Sequence, residues 1–160
     1  MDAIQYYNEL LYRMEELFYH ELSDCAPWKT EYVGIDFIQS KEIKGTTEDE
    51  IVSACIREII GAELADRVSY SIGGKGILLR LRIGGCRHLP KETMLRKSGI
   101  KPYNCPITNM VLDQLIEKLG YATTYLADLD VDERNGECSV MAAIYATPDS
   151  VGLVSDWSKE

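Results

Sequence analysis

"YATTYLADLDVDERNGECSVMAAIYAT", residues 121–147, decides the architecture. Asn135-Gly136 is a strong turn dipeptide of hairpins. Alternating apolar and polar residues flank the dipeptide on both sides. The stretch therefore reads as a strand, a tight turn and an antiparallel return.

A second hairpin lies upstream in "RVSYSIGGKGILLRLRIGG", residues 67–85. Val68, Tyr70 and Ile72 alternate on its first arm; Leu79, Leu81 and Ile83 alternate on its second. Gly73, Gly74 and Gly76 provide the turn. A phosphate-binding loop is a poor alternative for "GGKG", since no helix follows it.

Helical patterns surround the hairpins. Residues 1–22 place Ile4, Tyr7, Leu11, Met14, Phe18 and Leu22 at helical spacing, with Leu10 and Leu17 widening the stripe. The predicted helix either covers a sheet or makes a subunit contact. Thr47 with Glu50 three residues later forms a capping-box pattern ahead of Ile51, Ala54, Cys55 and Ile59. "HLPKETMLRKSG" (88–99) reads as a short helix with Pro90 in its first turn. "CPITNMVLDQLIEKLG" (105–120) reads as a longer one, started by Pro106 and closed by Gly120. "YVGIDFIQS" (32–40) suggests a short strand. Two hairpins separated by helices predict an α+β fold, an antiparallel sheet packed against helices. One domain spans 1–160, with residues 1–45 forming an N-terminal helix and connector.

The totals exclude several function classes. A net charge of −9 without a long Lys/Arg run argues against nucleic acid. The first 30 residues lack the apolar core of a signal peptide, and no apolar run reaches the roughly 18 residues of a membrane span. A cytoplasmic protein is expected. The five cysteines (25, 55, 86, 105 and 138) are odd in number and widely spaced, which speaks against a disulfide framework. Cys55, on an apolar helical stripe, is expected in the core.

Four thiol and imidazole groups could carry chemistry. Cys86 and His88 lie two apart, so an extended chain points both the same way. Cys105 opens a helix, where the dipole favours thiolate. Asp128, Asp130 and Cys138 come from the second hairpin. These residues could ligate zinc, which takes about four nitrogen, sulfur or oxygen donors. The alternative is separately buried thiols and a solvated acidic rim. His20 reads as a surface residue. Motifs of serine hydrolases, zinc proteases, nucleotide-binding loops and dinucleotide folds are missing from the sequence, so an enzyme is the less favoured class.

The helix "CPITNMVLDQLIEKLG" followed by "YLADLDVDERNGECSVMAAIYAT" resembles the 4-vinyl reductase domain, found in archaeal hydrocarbon-binding proteins and in sensor domains of aromatic-responsive activators. The similar region runs over residues 84–147. The resemblance implies a sheet backed by helices, related to trafficking-complex (TRAPP) subunits and haem nitric-oxide-binding domains. It implies a buried apolar pocket, frequent homodimers, and in some members a zinc site of cysteines and a carboxylate. Cys105 and Cys138 match the family's helix-start and last cysteines, and Asp128 lies near its carboxylate. Asp130 stands about where the middle cysteine would be, so a site here would be completed by Asp130, Cys86 or His88. Met110, Leu112, Leu115, Tyr125, Met141 and Tyr145 would line the ligand cavity, or else form ordinary core.

Expected, then, is a non-catalytic binding protein for a small apolar or aromatic molecule, a homodimer whose thiols could carry a structural zinc. Two alternatives stay open: an enzyme accessory or reductase-like protein of tetrapyrrole-type metabolism, and a structural assembly subunit.

Overall fold

The computed structural model describes residues 1–73, 77–121 and 123–145, with backbone alone for 77 and 123–127. The turn of the first hairpin and the polar C-terminal stretch after Tyr145 lie outside the described residues.

The chain begins with α1 (Ala3–Leu22), a single 3-10 turn (Ser23–Cys25), and two short helices, α2 (Ala26–Lys29) and α3 (Ile35–Gln39). Then come α4 (Glu48–Gly61), β1 (Arg67–Gly73), β2 (Ile77–Gly84), α5 (Leu89–Lys97), α6 (Pro106–Leu119), β3 (Thr123–Asp132) and β4 (Glu137–Tyr145). The fold is α+β. Its four strands pair antiparallel in the order β1-β2-β4-β3.

Local chemistry sets the helix ends. The Thr47 hydroxyl accepts from the Glu50 N–H at 3.3 Å, and the Glu50 carboxylate accepts from the Thr47 N–H. That capping box satisfies donors the first helical turn leaves open. Asp2 and Gln5 do the same for α1. Gly120, with φ +66°, ends α6.

Within 32–40 a turn leads into the helix α3, in place of the short strand expected there. Gly34, at φ +92°, turns the chain into α3. Ile38 is then fully buried, and α3 packs on α6 instead of joining the sheet. Burial of one side chain against a neighbouring helix overrides a short stretch of strand-forming residues.

One sheet face is apolar and covered. Leu79, Leu81 and Ile83 of β2, Leu129 and Val131 of β3, and Cys138, Val140 and Ala142 of β4 share a continuous core with α4 and α6. From α6 that core takes Ile107, Met110, Val111 and Leu115. Cys55 is fully buried in it, and desolvation pushes its thiol up to about 12. It is a packing residue. The opposite sheet face bears Ser69, Ser71, Arg80, Arg82, Ser139 and Asp130, and β1 shows the strict alternation of a half-covered strand.

α1 behaves differently. It packs on α5 and on the short helices that follow it. Its buried residues are Asn8, Tyr12 and Glu15. Ile4, Tyr7, Leu10, Met14 and Leu17 are exposed. No helix among the described residues is long and apolar enough to cross a membrane.

Candidate functional site: a buried thiol cluster beside a buried lysine

The register of β4 starts the site. Cys138 stands across from Ile83 of β2 and Val131 of β3, on the covered face. After β2 the chain turns at Gly85, whose φ is +64° and whose N–H bonds the carbonyl of Gly136 at 3.0 Å. A Cβ there would lie 2.0 Å from Asp66 Oδ2, so only glycine fits. This turn delivers Cys86 to Cys138.

The two thiols differ in how readily each ionises. The nearby Cys138 thiol is the largest cause that holds Cys86 below the ordinary thiol range, against the opposing effect of burial. His88 adds to it, with its N–H 3.4 Å and its Nδ1 3.8 Å from Cys86 Sγ. The proximity of Cys86, together with burial, drives Cys138 strongly upward. Thiolate character therefore belongs to Cys86.

Cys105 occupies the N-cap position of α6, and its side chain makes no capping bond. It is 4% exposed. Burial pushes it up to about 12, with the charge of Cys86 acting in the same direction. The helix-start thiolate expected from the dipole is thus overruled by desolvation.

Glu92, on α5, closes the group. Its Oε2 is buried with no hydrogen-bond partner. Burial first, then the charge of Glu15, pushes its carboxyl up to about 7, against the pull of Lys91. Its charge is felt at Cys86, Cys105 and Cys138.

Behind Glu92 sits a network the sequence reading missed. Lys91 is 0% exposed. Its Nζ bonds Glu15 Oε1 at 2.9 Å, the Glu92 carboxylate, and the Asn104 carbonyl at 2.9 Å. Asn104 Nδ2 donates to Glu15 at 3.0 Å, and Asn109 Nδ2 donates to Asn104 at 2.8 Å. Asn8 of α1 accepts from the Lys91 N–H at 3.1 Å and donates to the Arg87 carbonyl at 2.8 Å. Burial works against the lysine's charge, but Glu92 and Glu15 outweigh it and raise Lys91 to about 12. A signal did exist: Asn8 and Glu15, seven residues apart, interrupt α1 on one side.

Of the predicted metal ligands, the fold brings together Cys86, His88, Cys105 and Cys138. Asp128 and Asp130 pair across the sheet with Met141 and Ser139, on the other face from Cys138. Asp128 is bonded to Lys101 at 2.7 Å, and Asp130 is exposed. Thiols, an imidazole and an unpartnered carboxylate oxygen are donor types that zinc takes. Among the described residues, no three such side chains stand arranged to hold an ion.

The predicted cavity residues separate too. Met110, Leu112 and Leu115 are 0–6% exposed within the core. Tyr145 is buried on β4, whereas Met141 projects from the other sheet face. The Tyr125 side chain lies outside the described residues. The described residues form open concavities, two of which are large enough for a small molecule. One, of about 490 Å³, lies on the uncovered sheet face and is lined by Arg80, Arg82 and Met141 among others. The other, of about 600 Å³, runs between the start of α1 and α5.

Comparison with known proteins identifies no relative: no family model matches the chain, no curated protein matches it, and no solved structure matches it.

Proposed function

We propose that this chain is a non-catalytic binding protein for a small organic molecule, of the kind the 4-vinyl reductase domain represents. In this reading it works in the reducing cytoplasm and carries a structural zinc at its thiol cluster. The observation behind it is the collection of Cys86, Cys105 and Cys138 from three separate elements, beside the unpartnered oxygen of Glu92. Three thiols with His88 or Glu92 as the fourth donor would hold the ion. Some side-chain rotation would accompany binding, since no three donors converge as they stand. Bound zinc would tie the β2–α5 turn, the start of α6 and strand β4 together.

Native mass spectrometry with elemental analysis tests this reading. Protein purified without chelator should carry about one zinc per chain and a co-purifying small molecule. Cys105→Ser and Cys138→Ser should each lower the zinc content. Protein free of metal and ligand, with thermal stability unchanged by chelator, removes the proposal.

A second reading, a subunit that assembles with copies of itself, has its own observation. Tyr7, Leu10, Met14 and Leu17 follow 3-4-3 spacing on the exposed side of α1. Such a seam suits helix pairing, and an uncovered apolar stripe of this length is unusual on a monomer. Light scattering on Leu10→Glu and Leu17→Glu decides it: a dimer that becomes a monomer supports the reading, and an unchanged mass rejects it.

A further inference from the structure

The uncovered face of the sheet is built in rows. Register places Ser69, Arg82, Ser139 and Asp130 side by side across β1, β2, β4 and β3. The next row is Ser71, Arg80, Met141 and Asp128. Neighbouring strands lie about 4.8 Å apart, and residues two apart on one strand about 6.8 Å. Two guanidinium groups and three hydroxyls therefore share an area of small-molecule size, within the concavity of about 490 Å³.

The charges in these rows are unequally committed. Arg82 bonds Glu137 at 3.1 Å, and Glu137 also takes Arg67 at 2.6 Å. Asp128, at the far rim, pairs with Lys101 at 2.7 Å. Arg80 forms no ion pair with any described residue. It stands between Ser71 and Met141, one row from Ser69 and Ser139. A planar guanidinium flanked by hydroxyls is the arrangement that takes a carboxylate or phosphate group, through paired N–H donors. The Met141 thioether and the arginine stems offer an apolar bed beside it.

We propose that this concavity is the ligand site, and that the ligand is a small organic anion: its acidic group on Arg80, Ser69 and Ser71, its apolar or aromatic body over Met141. This rests on the small-molecule reading above and gives it a chemical class. It moves the ligand from the packed core between sheet and helices to the opposite face of the sheet.

A nitrogen–proton correlation NMR titration tests it, with benzoate as the anion and benzyl alcohol as its neutral counterpart. Benzoate should shift the amides of Ser69, Ser71, Arg80, Arg82, Ser139 and Met141, and benzyl alcohol should bind at least about tenfold more weakly, the loss of one charge-assisted contact. Arg80→Gln, a surface change that should leave the dispersed spectrum intact, should weaken benzoate by about tenfold or more. Asp128→Asn should tighten it about twofold, because a negative charge leaves the rim. Equal binding of the two probes, or binding unaffected by Arg80→Gln, overturns the proposal. Shifts confined to α4 and α6 overturn this site yet leave the small-molecule reading standing. No binding of either probe, with no small molecule co-purifying, defeats both.

Discussion

α1 and α6 have the same kind of sequence and opposite orientations. Each alternates apolar and polar residues at helical spacing. α6 turns Ile107, Met110, Val111 and Leu115 toward the sheet. α1 turns Asn8, Tyr12 and Glu15 inward and leaves Leu10, Met14 and Leu17 outside. The difference lies in what each helix meets. The core beneath α6 is aliphatic, so area removed from water orients it. Beneath α1 is Lys91, a buried cation whose charge must be answered before any apolar contact matters. Periodicity measures the angle between two faces of a helix. The neighbour decides which of them is inside.

That contrast is most exposed at Lys91 itself. Lys91→Met should be the most damaging single change, because it leaves Glu15 and Glu92 buried with no cation. Removing one partner of a buried ion pair costs roughly 3–5 kcal/mol, and urea unfolding at neutral pH should show a loss of unfolding free energy of that size. A loss under about 1 kcal/mol, the scale of an exposed pair, would mean that α1 is held by its apolar contacts after all. Leu115→Ala in α6 comes next. Its side chain is 0% exposed, and the cavity left behind should cost about 3 kcal/mol. The two substitutions break the two helices by different physics: the first strands charge, the second opens a void.

Much of the fold was open to inspection in the residues. Asn135-Gly136 and the alternation beside it specify β3 and β4, the Thr47–Glu50 box specifies the start of α4, and two hairpins specify an antiparallel sheet. The segment 32–40 misled, because so short a stretch cannot outweigh the packing of Ile38 against α6. The thiols were readable as a group, yet their partners were not. Asp128 and Asp130 are as close to Cys138 in sequence as a ligand set requires. Which side of a strand a residue takes depends on the pairing, however: the turn sets Asp132 opposite Glu137, which puts Val131 rather than Asp130 beside Cys138. Glu92 and Lys91 sit in a stretch, "LPKETM", whose charges look like an ordinary solvated face. Nothing local says that a lysine will be buried; that follows from Glu15 arriving from a helix 76 positions away.

The mildest predictions are the most discriminating, since they compare a polar and an apolar residue on one helix. Asn8→Ala removes an acceptor from the buried Lys91 N–H and a donor from the Arg87 carbonyl. Leaving such groups unanswered costs roughly 1–3 kcal/mol. Leu17→Ala removes an apolar side chain that is 55% exposed. In a monomer its effect should stay within about 0.5 kcal/mol, as for surface substitutions generally. On an ordinary amphipathic helix the order would be reversed, with the leucine costly and the asparagine free. Measuring both by urea unfolding at micromolar and at roughly tenfold higher protein concentration separates two origins. If Leu17→Ala is silent at low concentration and destabilising at high, the exposed stripe is protecting an interface between copies. If it is costly at every concentration, α1 has been assigned the wrong inward face, and the lysine network cannot be what orients it.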